Sequence, residues 1–343
     1  MNWSLAPSGL VLMASTTLVL AAPPALAATF TPSPVFDSFD SYTTINPFNG
    51  DVTDIYYPTD SSSVNDLPVV LLLQGALVDK AFYSDYASQV ARYGFSVIVP
   101  NHFQTVPPLG DALLSETTQA QDVLEHLTLE NNDPNSPLTG QIDVDTLGLL
   151  GHSFGAAVGL ATIGEICLPL QCPAPFERPE ELRGGAFFGA NLRDMNDVFL
   201  PIDNDGIGIA LLQGNQDGRA LPSRAERTFE QIQTSPRALV ELDGVNHFGI
   251  TNTNFVPGAI PDPNSQTLDQ AVATELIARW SGLFLRGTLL DDSDALDYVL
   301  RTGADQEPNV VSVRTESIPE PMSTAGSLGI VFGLMWLRRR RSA

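Results

Sequence analysis

The sequence has few basic residues. Its 343 residues include 17 Lys and Arg against 40 Asp and Glu, which gives a formal net charge of −23 at pH 7. Lys80 is the only lysine. A surface with this charge repels nucleic acid and anionic lipid headgroups. We therefore expect no nucleic-acid partner and favour a neutral substrate over an anionic one.

Cysteine is scarce as well. The two cysteines, Cys167 and Cys172, are five residues apart. In an oxidising compartment such a pair is expected to form a local disulfide bond. Two thiols with no histidine nearby make a poor metal site, so we predict no bound metal.

The first 27 residues lack charged side chains altogether. They contain an apolar stretch around Leu10–Ala22 and end in Ala25-Leu26-Ala27. This small-x-small ending after an apolar core is typical of a secretory signal peptide. We predict a signal peptide at residues 1–27 and export of the remaining chain; the alternative is a short buried helix.

The other end of the chain combines three features in order. Pro319-Glu320-Pro321 precedes a mostly apolar segment at residues 322–337, and four arginines follow at Arg338–Arg341. Residues 318–343 resemble the PEP-CTERM sorting signal of Gram-negative bacteria. The resemblance implies transient anchoring in the membrane, processing by an exosortase-type enzyme, and delivery to the cell surface or extracellular matrix. The alternative is an ordinary C-terminal membrane anchor, in which the four arginines after the apolar segment would stay on the cytoplasmic side of the membrane.

Between these ends, strand-like and helix-like segments alternate. This alternation predicts an α/β domain with a mostly parallel central sheet and helices on both faces. We place a leader at 28–49, the main domain at 50–287 and an extension or spacer at 288–317. The predicted strands are 52–57 (an edge strand), 67–73, 95–100, 145–150, 185–188, 207–212 and 238–242. The predicted helices are 81–92, 113–129, 156–161 and 268–285.

One motif carries nucleophile chemistry. Gly151-His152-Ser153-Phe154-Gly155 lies between a predicted strand and a predicted helix. In a nucleophile elbow, a strained turn lifts the serine hydroxyl clear of the sheet, and glycines on either side allow close backbone approach. Ser153 is therefore the candidate nucleophile.

A serine hydroxyl needs a neighbouring base, and the chain has only four histidines. His152 lies inside the elbow, where we expect its side chain to point away from the partner of the serine. His126 falls in a predicted helix, and His102 precedes the nucleophile. His247 follows a predicted strand in a turn-rich loop, so it is the candidate base, with an exposed loop histidine as the alternative.

The histidine in turn needs a carboxylate, and in chain order the acid lies between serine and histidine. Asp217, directly after the predicted strand 207–212, is the first candidate, and Asp194, after the preceding strand, is the second. An oxyanion needs two backbone N–H donors. We assign these to Phe154 and to Ala76, with Leu77 as an alternative to Ala76.

The order of segments over residues 50–285 is similar to that of the α/β-hydrolase superfamily, within the branch of chlorophyllases, cutinase-like polyester hydrolases and platelet-activating-factor acetylhydrolases. The resemblance rests on residues 68–75, 93–100, 151–155 and 246–249. It implies hydrolysis of carboxylic esters through an acyl-enzyme, without a cofactor. Gln74 departs from the family pattern, in which histidine usually stands before the oxyanion glycine.

Other functions remain open from the sequence. The same three side chains serve other acyl transfers, such as peptide cleavage. A surface binding protein could also retain an inactive hydrolase fold. Several aromatic side chains could line an acyl pocket or belong to the core: Phe82, Tyr83, Phe103 and Phe154.

Overall fold

The computed structural model describes Met1 and residues 30–59, 65–108, 110–173 and 175–316. Apart from Met1, the predicted signal peptide at 1–27 lies outside the described residues, as does the predicted sorting signal at 318–343. Of the two units into which the chain divides, the larger contains the described residues from Pro32 to Glu316. In the described part of the chain, no helix is both long and apolar enough to cross a membrane.

The larger unit contains a nine-stranded sheet and a separate two-stranded hairpin. The strands of the chain are β1 (Phe39–Ile45), β2 (Val52–Pro58), β3 (Leu67–Leu73), β4 (Ser96–Asn101), β5 (Phe103–Val106), β6 (Gly110–Leu113), β7 (Ile142–His152), β8 (Leu182–Phe188), β9 (Gly208–Gly214), β10 (Arg237–Leu242) and β11 (Val310–Glu316). The sheet order is β1-β2-β4-β3-β7-β8-β9-β10-β11, and β5 pairs with β6 alone.

Six neighbouring strands of this sheet, from β4 to β10 in the sheet order, are parallel. Every residue of β3 is buried, which is the pattern of a strand covered on both faces. The outer strands β1, β2 and β11 join their neighbours in antiparallel pairs. All the parallel strands therefore end at the same edge of the sheet.

Helices cover both faces of the sheet. They are α1 (Ser84–Ala91), α2 (Gln119–Asn132), α3 (Phe154–Ile163), α4 (Pro222–Phe229), α5 (Gln270–Leu289) and α6 (Ser293–Asp297). Helices α2 and α3 pack on β3 and β7, and α4 packs on β9 and β10. Helix α1 packs on β2 and β4, and α5 packs on β7, β8 and β9; α1 and α5 also contact each other. This arrangement is the α/β-hydrolase fold predicted from the sequence.

The sheet extends beyond the predicted domain limits of 50 and 287. Strand β1 lies in the segment predicted as a leader and pairs with β2 along its whole length. Strand β2 is therefore not an edge strand, and that prediction is wrong. On the opposite side, β11 comes from the predicted extension and pairs with β10.

The predicted helix at 113–129 is wrong at its start. Residues up to Leu113 form strand β6, and the helix runs instead from Gln119 to Asn132. Leu113 pairs with Phe103 across the β5–β6 hairpin. This pairing takes Leu113 out of the helix that its apolar spacing suggested.

Candidate active site

Ser153 occupies a sharp turn between β7 and α3. Its backbone has φ 54° and ψ −114°, in a region that non-glycine residues rarely adopt. A Cβ atom at position 151 would lie 2.6 Å from the Cα of Ala156. A Cβ atom at position 155 would collide with the carbonyl oxygen of Leu73. The two glycines of the motif thus permit the close approach that holds Ser153 in its strained conformation.

Three side chains from the ends of three parallel strands meet at this turn. Ser153 follows β7, Asp217 follows β9, and His247 follows β10. The Ser153 Oγ lies 2.8 Å from Nε2 of His247, and Nδ1 of His247 lies 2.8 Å from Oδ2 of Asp217. Asp217 and His247 are both buried. The structure therefore brings the first-choice nucleophile, base and acid into one hydrogen-bonded chain.

Both carboxylate oxygens of Asp217 have partners. While Oδ2 faces His247, Oδ1 accepts hydrogen bonds from the backbone N–H groups of Arg219 at 2.8 Å and Ala220 at 2.7 Å. These contacts orient the carboxylate towards Nδ1 of the imidazole. Because a carboxylate only accepts, Nδ1 of His247 carries the proton and Nε2 is left to accept from Ser153.

Asp194, the second candidate for the acid, has other partners. Its Oδ1 accepts from the backbone N–H groups of Asn196 and Val198, at 2.8 and 2.9 Å. The backbone hydrogen bond from Val198 is the main reason that the pKa of Asp194 lies below its ordinary value. This carboxylate stabilises its own turn, and His247 bonds to Asp217 instead.

Two backbone N–H groups lie free beside the serine. In the part of the chain that the structure describes, neither Ala76 nor Phe154 donates its backbone N–H to another protein group. The alternative donor, Leu77, gives its N–H to the carbonyl oxygen of Leu113 at 2.8 Å. Ala76 and Phe154 both line the cavity that also contains Ser153. They are the N–H groups available to an oxyanion there.

His152 does not point away from His247, as the sequence had suggested. The two imidazole rings pack with their centroids 4.9 Å apart, and Nε2 of His152 lies 2.9 Å from the carbonyl oxygen of His247. A carbonyl only accepts, so Nε2 carries the proton. Burial, and next the neighbouring imidazole of His247, hold the pKa of His152 well below its ordinary value. His152 is thus a neutral donor behind the candidate base.

A tyrosine completes a buried hydrogen-bond chain through His152. The hydroxyl of Tyr83 lies 2.9 Å from Nδ1 of His152, to which it donates, and it accepts the backbone N–H of Gly75 at 2.8 Å. The chain therefore runs from Gly75 through Tyr83 and His152 to the carbonyl group of His247. It connects the loop that holds Ala76 to the loop that holds the base. No local sequence pattern indicates this role of Tyr83, which looked like a core or pocket residue.

Two further side chains fix these loops. Gln74 is buried, donates to the carbonyl oxygen of His102 and accepts the N–H of His102, both at 3.0 Å. Asp262 accepts the N–H of His247 at 2.8 Å and the N–H of Gly218 at 3.1 Å. Gln74, which stands where the family pattern usually has histidine, thus links the end of β3 to the end of β4 through its side-chain hydrogen bonds. The role of Asp262 could not be read from its turn-rich segment.

A cavity of about 580 Å³ opens above Ser153. Of the four aromatic residues considered for a pocket, Phe154 lines this cavity. Tyr83 is buried, Phe82 is half-buried and Phe103 is exposed, and none of these three belongs to its described lining. Cys167 and Cys172 form the predicted disulfide bond. The short loop that it closes contributes three residues to the cavity wall: Leu168, Pro169 and Gln171.

Within the described ranges, no group of three or more His, Cys, Asp or Glu side chains is arranged to hold a metal ion. The side chains that meet at Ser153 are those of a nucleophile, a base and a carboxylate. Their geometry suits proton transfer from a hydroxyl group to an imidazole.

Comparison with known proteins gives partial matches. Residues 54–168 match the family model described as Chlorophyllase. This region includes Ala76, Ser153 and Phe154 but ends before Asp217 and His247. The chain is 27% identical over 107 residues to chlorophyllase-1, chloroplastic, from Citrus unshiu, which is 31% of each chain. It is 28% identical over 93 residues to chlorophyllase-1, chloroplastic, from Citrus sinensis, which is 27% of each chain.

The chain thus spans about a third of the length of these curated relatives. The match begins within β2 and extends past the end of α3. Together with the observed sheet, it supports a hydrolase of the α/β-hydrolase type.

Proposed function

We propose that this protein is a serine hydrolase that cleaves carboxylic esters through an acyl-enzyme on Ser153. The observation that carries the proposal is the continuous hydrogen-bonded chain from Ser153 through His247 to Asp217, with 2.8 Å at both links. The likeness to chlorophyllases supports ester hydrolysis at the level of the reaction class.

The first half-reaction forms the acyl-enzyme. Ser153 Oγ attacks the ester carbonyl carbon while its proton passes to Nε2 of His247, and Asp217 stabilises the resulting imidazolium. The carbonyl oxygen becomes an oxyanion and accepts the N–H groups of Ala76 and Phe154. His247 then gives its proton to the leaving alkoxide as the ester C–O bond breaks.

The second half-reaction regenerates the enzyme. Water attacks the acyl carbon and gives a proton to His247, and the Ser153–acyl bond breaks as His247 returns that proton to Oγ. A carboxylic acid leaves. No step requires a group beyond the substrate, water and the named residues.

Export and surface delivery belong to the same proposal. They are supported by the apolar, uncharged residues 1–27 and by the Pro-Glu-Pro, apolar and arginine order of residues 318–343. The disulfide bond between Cys167 and Cys172 supports an oxidising compartment. In this proposal an exosortase-type enzyme processes the C-terminus, and the hydrolase acts at the cell surface or in the extracellular matrix.

The proposal is tested by labelling the purified protein with a fluorophosphonate, mapping the adduct by mass spectrometry, and assaying 4-nitrophenyl butyrate. We expect the adduct on Ser153, and we expect Ser153→Ala to lower turnover by about 10⁴-fold or more. Ser96→Ala is the matched control, because Ser96 is fully buried and its hydroxyl has no partner among the described residues. Turnover retained in Ser153→Ala would refute the mechanism. A folded protein that neither reacts nor turns over would favour the inactive binding protein, and cleavage of peptides alone would favour a peptidase.

The choice of acid is tested by a pair of isosteric substitutions. Asp217→Asn removes the charge that faces Nδ1 of His247, and we expect kcat to fall by roughly 10³-fold to 10⁴-fold. Asp194→Asn removes a carboxylate that bonds to Asn196 and Val198, so we expect a much smaller loss. The reverse ranking in the same ester assay would assign the acid to Asp194.

A further inference from the structure

The cavity above Ser153 has a charge opposite to that of the molecule. Three of the chain's 17 basic residues line it: Arg193, Arg219 and Arg224. Among the residues that the structure describes, Asp194 is the only acidic one in its lining. In a chain with a formal net charge of −23, three arginines thus line the cavity in which the proposed substrate would bind. The total charge, which favoured a neutral ester, therefore does not describe the cavity.

Two of these arginines are free to take a ligand. Within the described ranges, the guanidinium groups of Arg219 and Arg224 have no hydrogen-bond or ion-pair partner. Arg219 is exposed and Arg224 is half-buried. Arg193 is different, because it pairs with Asp197 and donates to Asn191 at 3.0 Å.

The acidic residue of the cavity does not neutralise them. The carboxylate oxygens of Asp194 accept from Asn196 and Val198, in the turn where the residue lies. Among the described residues, Asp194 forms no ion pair with Arg219 or Arg224. The guanidinium groups of Arg219 and Arg224, two residues that line the cavity, therefore keep a positive charge that Asp194 does not pair.

The fold determines where this charge lies relative to the reacting atoms. Arg219 follows strand β9, two residues after Asp217, and Arg224 is on helix α4. In the sheet, β9 is on one side of β7, which carries Ser153, and β3, which leads to Ala76, is on the other. An anionic group would thus bind on the β9 side of Ser153, across β7 from the Ala76 loop.

The rest of the cavity wall has polar and apolar parts. The apolar part includes Leu77, Phe154, Leu168, Pro169 and Met195. A ligand that fits both the arginines and this apolar part has an apolar body and a negatively charged group at one end. A guanidinium group binds carboxylate and phosphate oxygens through paired N–H donors, so either of these groups would suit the arginines.

We propose that the substrate is an ester that also carries a carboxylate or phosphate group, and that Arg219 and Arg224 bind this group. The inference rests on the proposed ester hydrolysis and specifies the class of ester. It replaces the neutral substrate that the overall charge had suggested.

The test compares esters that differ only in the anionic group. The first pair is 4-nitrophenyl hexanoate and the mono-4-nitrophenyl ester of adipic acid, in which the charge is on the acyl chain. The second set is phenyl acetate, 4-acetoxybenzoate and 4-acetoxyphenyl phosphate, in which the charge is on the leaving group and the last two members distinguish carboxylate from phosphate. For at least one set we expect kcat/KM of the anionic ester to exceed that of the neutral ester by about tenfold or more at low salt.

The substitutions then assign this preference to residues. In Arg219→Gln/Arg224→Gln we expect the ratio of anionic to neutral kcat/KM to fall by about tenfold. Arg227→Gln is the matched control, because Arg227 is on the same helix α4 but lies over the ring of Phe199 and does not line the cavity. It should retain the wild-type ratio.

The outcomes separate this inference from the proposed function. Hydrolysis of the neutral esters with no preference for the anionic ones would overturn the inference and leave ester hydrolysis intact. An anionic preference that persists in the double variant would overturn the assignment to Arg219 and Arg224. If no ester is hydrolysed and fluorophosphonate does not label Ser153, the proposed function fails, and the inference fails with it.

Discussion

Tyr83 joins two parts of the candidate active site that are far apart in sequence. Its hydroxyl accepts from Gly75, next to the free N–H of Ala76, and donates to His152, which holds the carbonyl group of His247. Both partners are buried, so each would be left without a hydrogen bond if the hydroxyl were removed. We therefore regard Tyr83 and His152 as positioning residues for the N–H donor and the base.

We expect Tyr83→Phe to lower kcat for a neutral 4-nitrophenyl ester by about tenfold or more, with a much smaller change in KM. The substitution leaves the ring in place and removes only the hydroxyl, so the effect should come from misplacement of Ala76 and His247. Steady-state kinetics of the purified variant measure it.

Tyr86→Phe is the control for general loss of stability. Tyr86 is as deeply buried as Tyr83, but its hydroxyl bonds to Ser281, away from the candidate site. We expect both variants to lose a few degrees in Tm, whereas only Tyr83→Phe loses kcat. Equal losses of kcat in the two variants would show that Tyr83 acts through stability alone.

The three side chains that meet in the candidate site were predicted from sequence, and the residues that support them were not. Ser153 is identified by its glycine-flanked motif, and Asp217 and His247 by their place after predicted strands. Tyr83 and Asp262 act through contacts with residues distant in sequence, and such contacts have no local pattern. The orientation of His152 was predicted wrongly, because the direction of a side chain at the elbow depends on packing against His247.

At the scale of elements, a buried ion cluster ties β2 to β4 and to the segment before α2. Nδ1 of His102, which follows β4, lies 2.9 Å from Oδ2 of Asp51, which precedes β2, and its Nε2 lies 3.5 Å from Glu116. Burial alone would lower the pKa of His102, but its hydrogen bonds to Asp51 and Glu116 and their charges raise it to about 9. The histidine is therefore protonated in the folded protein at neutral pH.

This cluster makes stability depend on pH. The pKa of His102 is about 9 in the folded protein and near 6.5 when unperturbed, so folding favours the protonated form. The stabilisation is complete below pH about 6.5 and is lost as pH rises through about 9. A difference of this size corresponds to roughly 3 kcal/mol.

We expect the difference in unfolding free energy between wild type and His102→Gln to shrink by roughly this amount between pH about 6 and pH about 10. Urea unfolding at the two pH values measures it, and subtraction of the variant removes the contribution of other titrating groups. A difference that stays constant or grows over this range would show that His102 is not held protonated by Asp51 and Glu116.

The β5–β6 hairpin, which sequence patterns missed, lies beside this cluster. Strands β5 (Phe-Gln-Thr-Val) and β6 (Gly-Asp-Ala-Leu) have four residues each, and none of these residues is fully buried. Neither sequence alternates apolar and polar residues, so neither has the pattern of a half-buried strand. Leu113 and Leu114 have helical spacing with later apolar residues, but Leu113 pairs with Phe103, and Leu114 donates its N–H to His102. The spacing of apolar residues along the chain does not predict pairing with another strand, so the start of α2 was predicted too early.

At the scale of the whole molecule, the parallel centre of the sheet was easier to predict than its edges. A strand such as β3 is apolar throughout because both faces are covered, and this pattern is visible in the sequence. Strand β1 has the sequence Phe-Asp-Ser-Tyr-Thr-Thr-Ile and is mostly exposed, so it resembled a polar leader. Its place in the sheet is determined by pairing with β2, and the composition of the segment does not predict this pairing.

The excess of negative charge also acts on the whole molecule. With a formal net charge of −23, the excess carboxylates repel one another in the compact state, and this repulsion lowers the free energy of unfolding. Salt screens such repulsion over a Debye length of about 10 Å at about 0.1 M. We therefore expect Tm at neutral pH to rise by several degrees, on the order of 5 °C, between about 0.02 M and about 0.3 M NaCl.

The same series at pH about 4 is the control, because about half of the carboxyl groups are protonated there and less repulsion is left to screen. Calorimetry at both pH values should give a clearly smaller effect of salt at the lower pH. An equal rise in Tm at both pH values would attribute the rise to a general effect of salt on burial rather than to charge.

In the cavity, salt should act in the opposite direction, since the attraction of Arg219 and Arg224 for an anionic ester weakens as it is screened. A protein that becomes more stable while its preference for anionic esters declines would thus combine an acidic surface with a basic binding site.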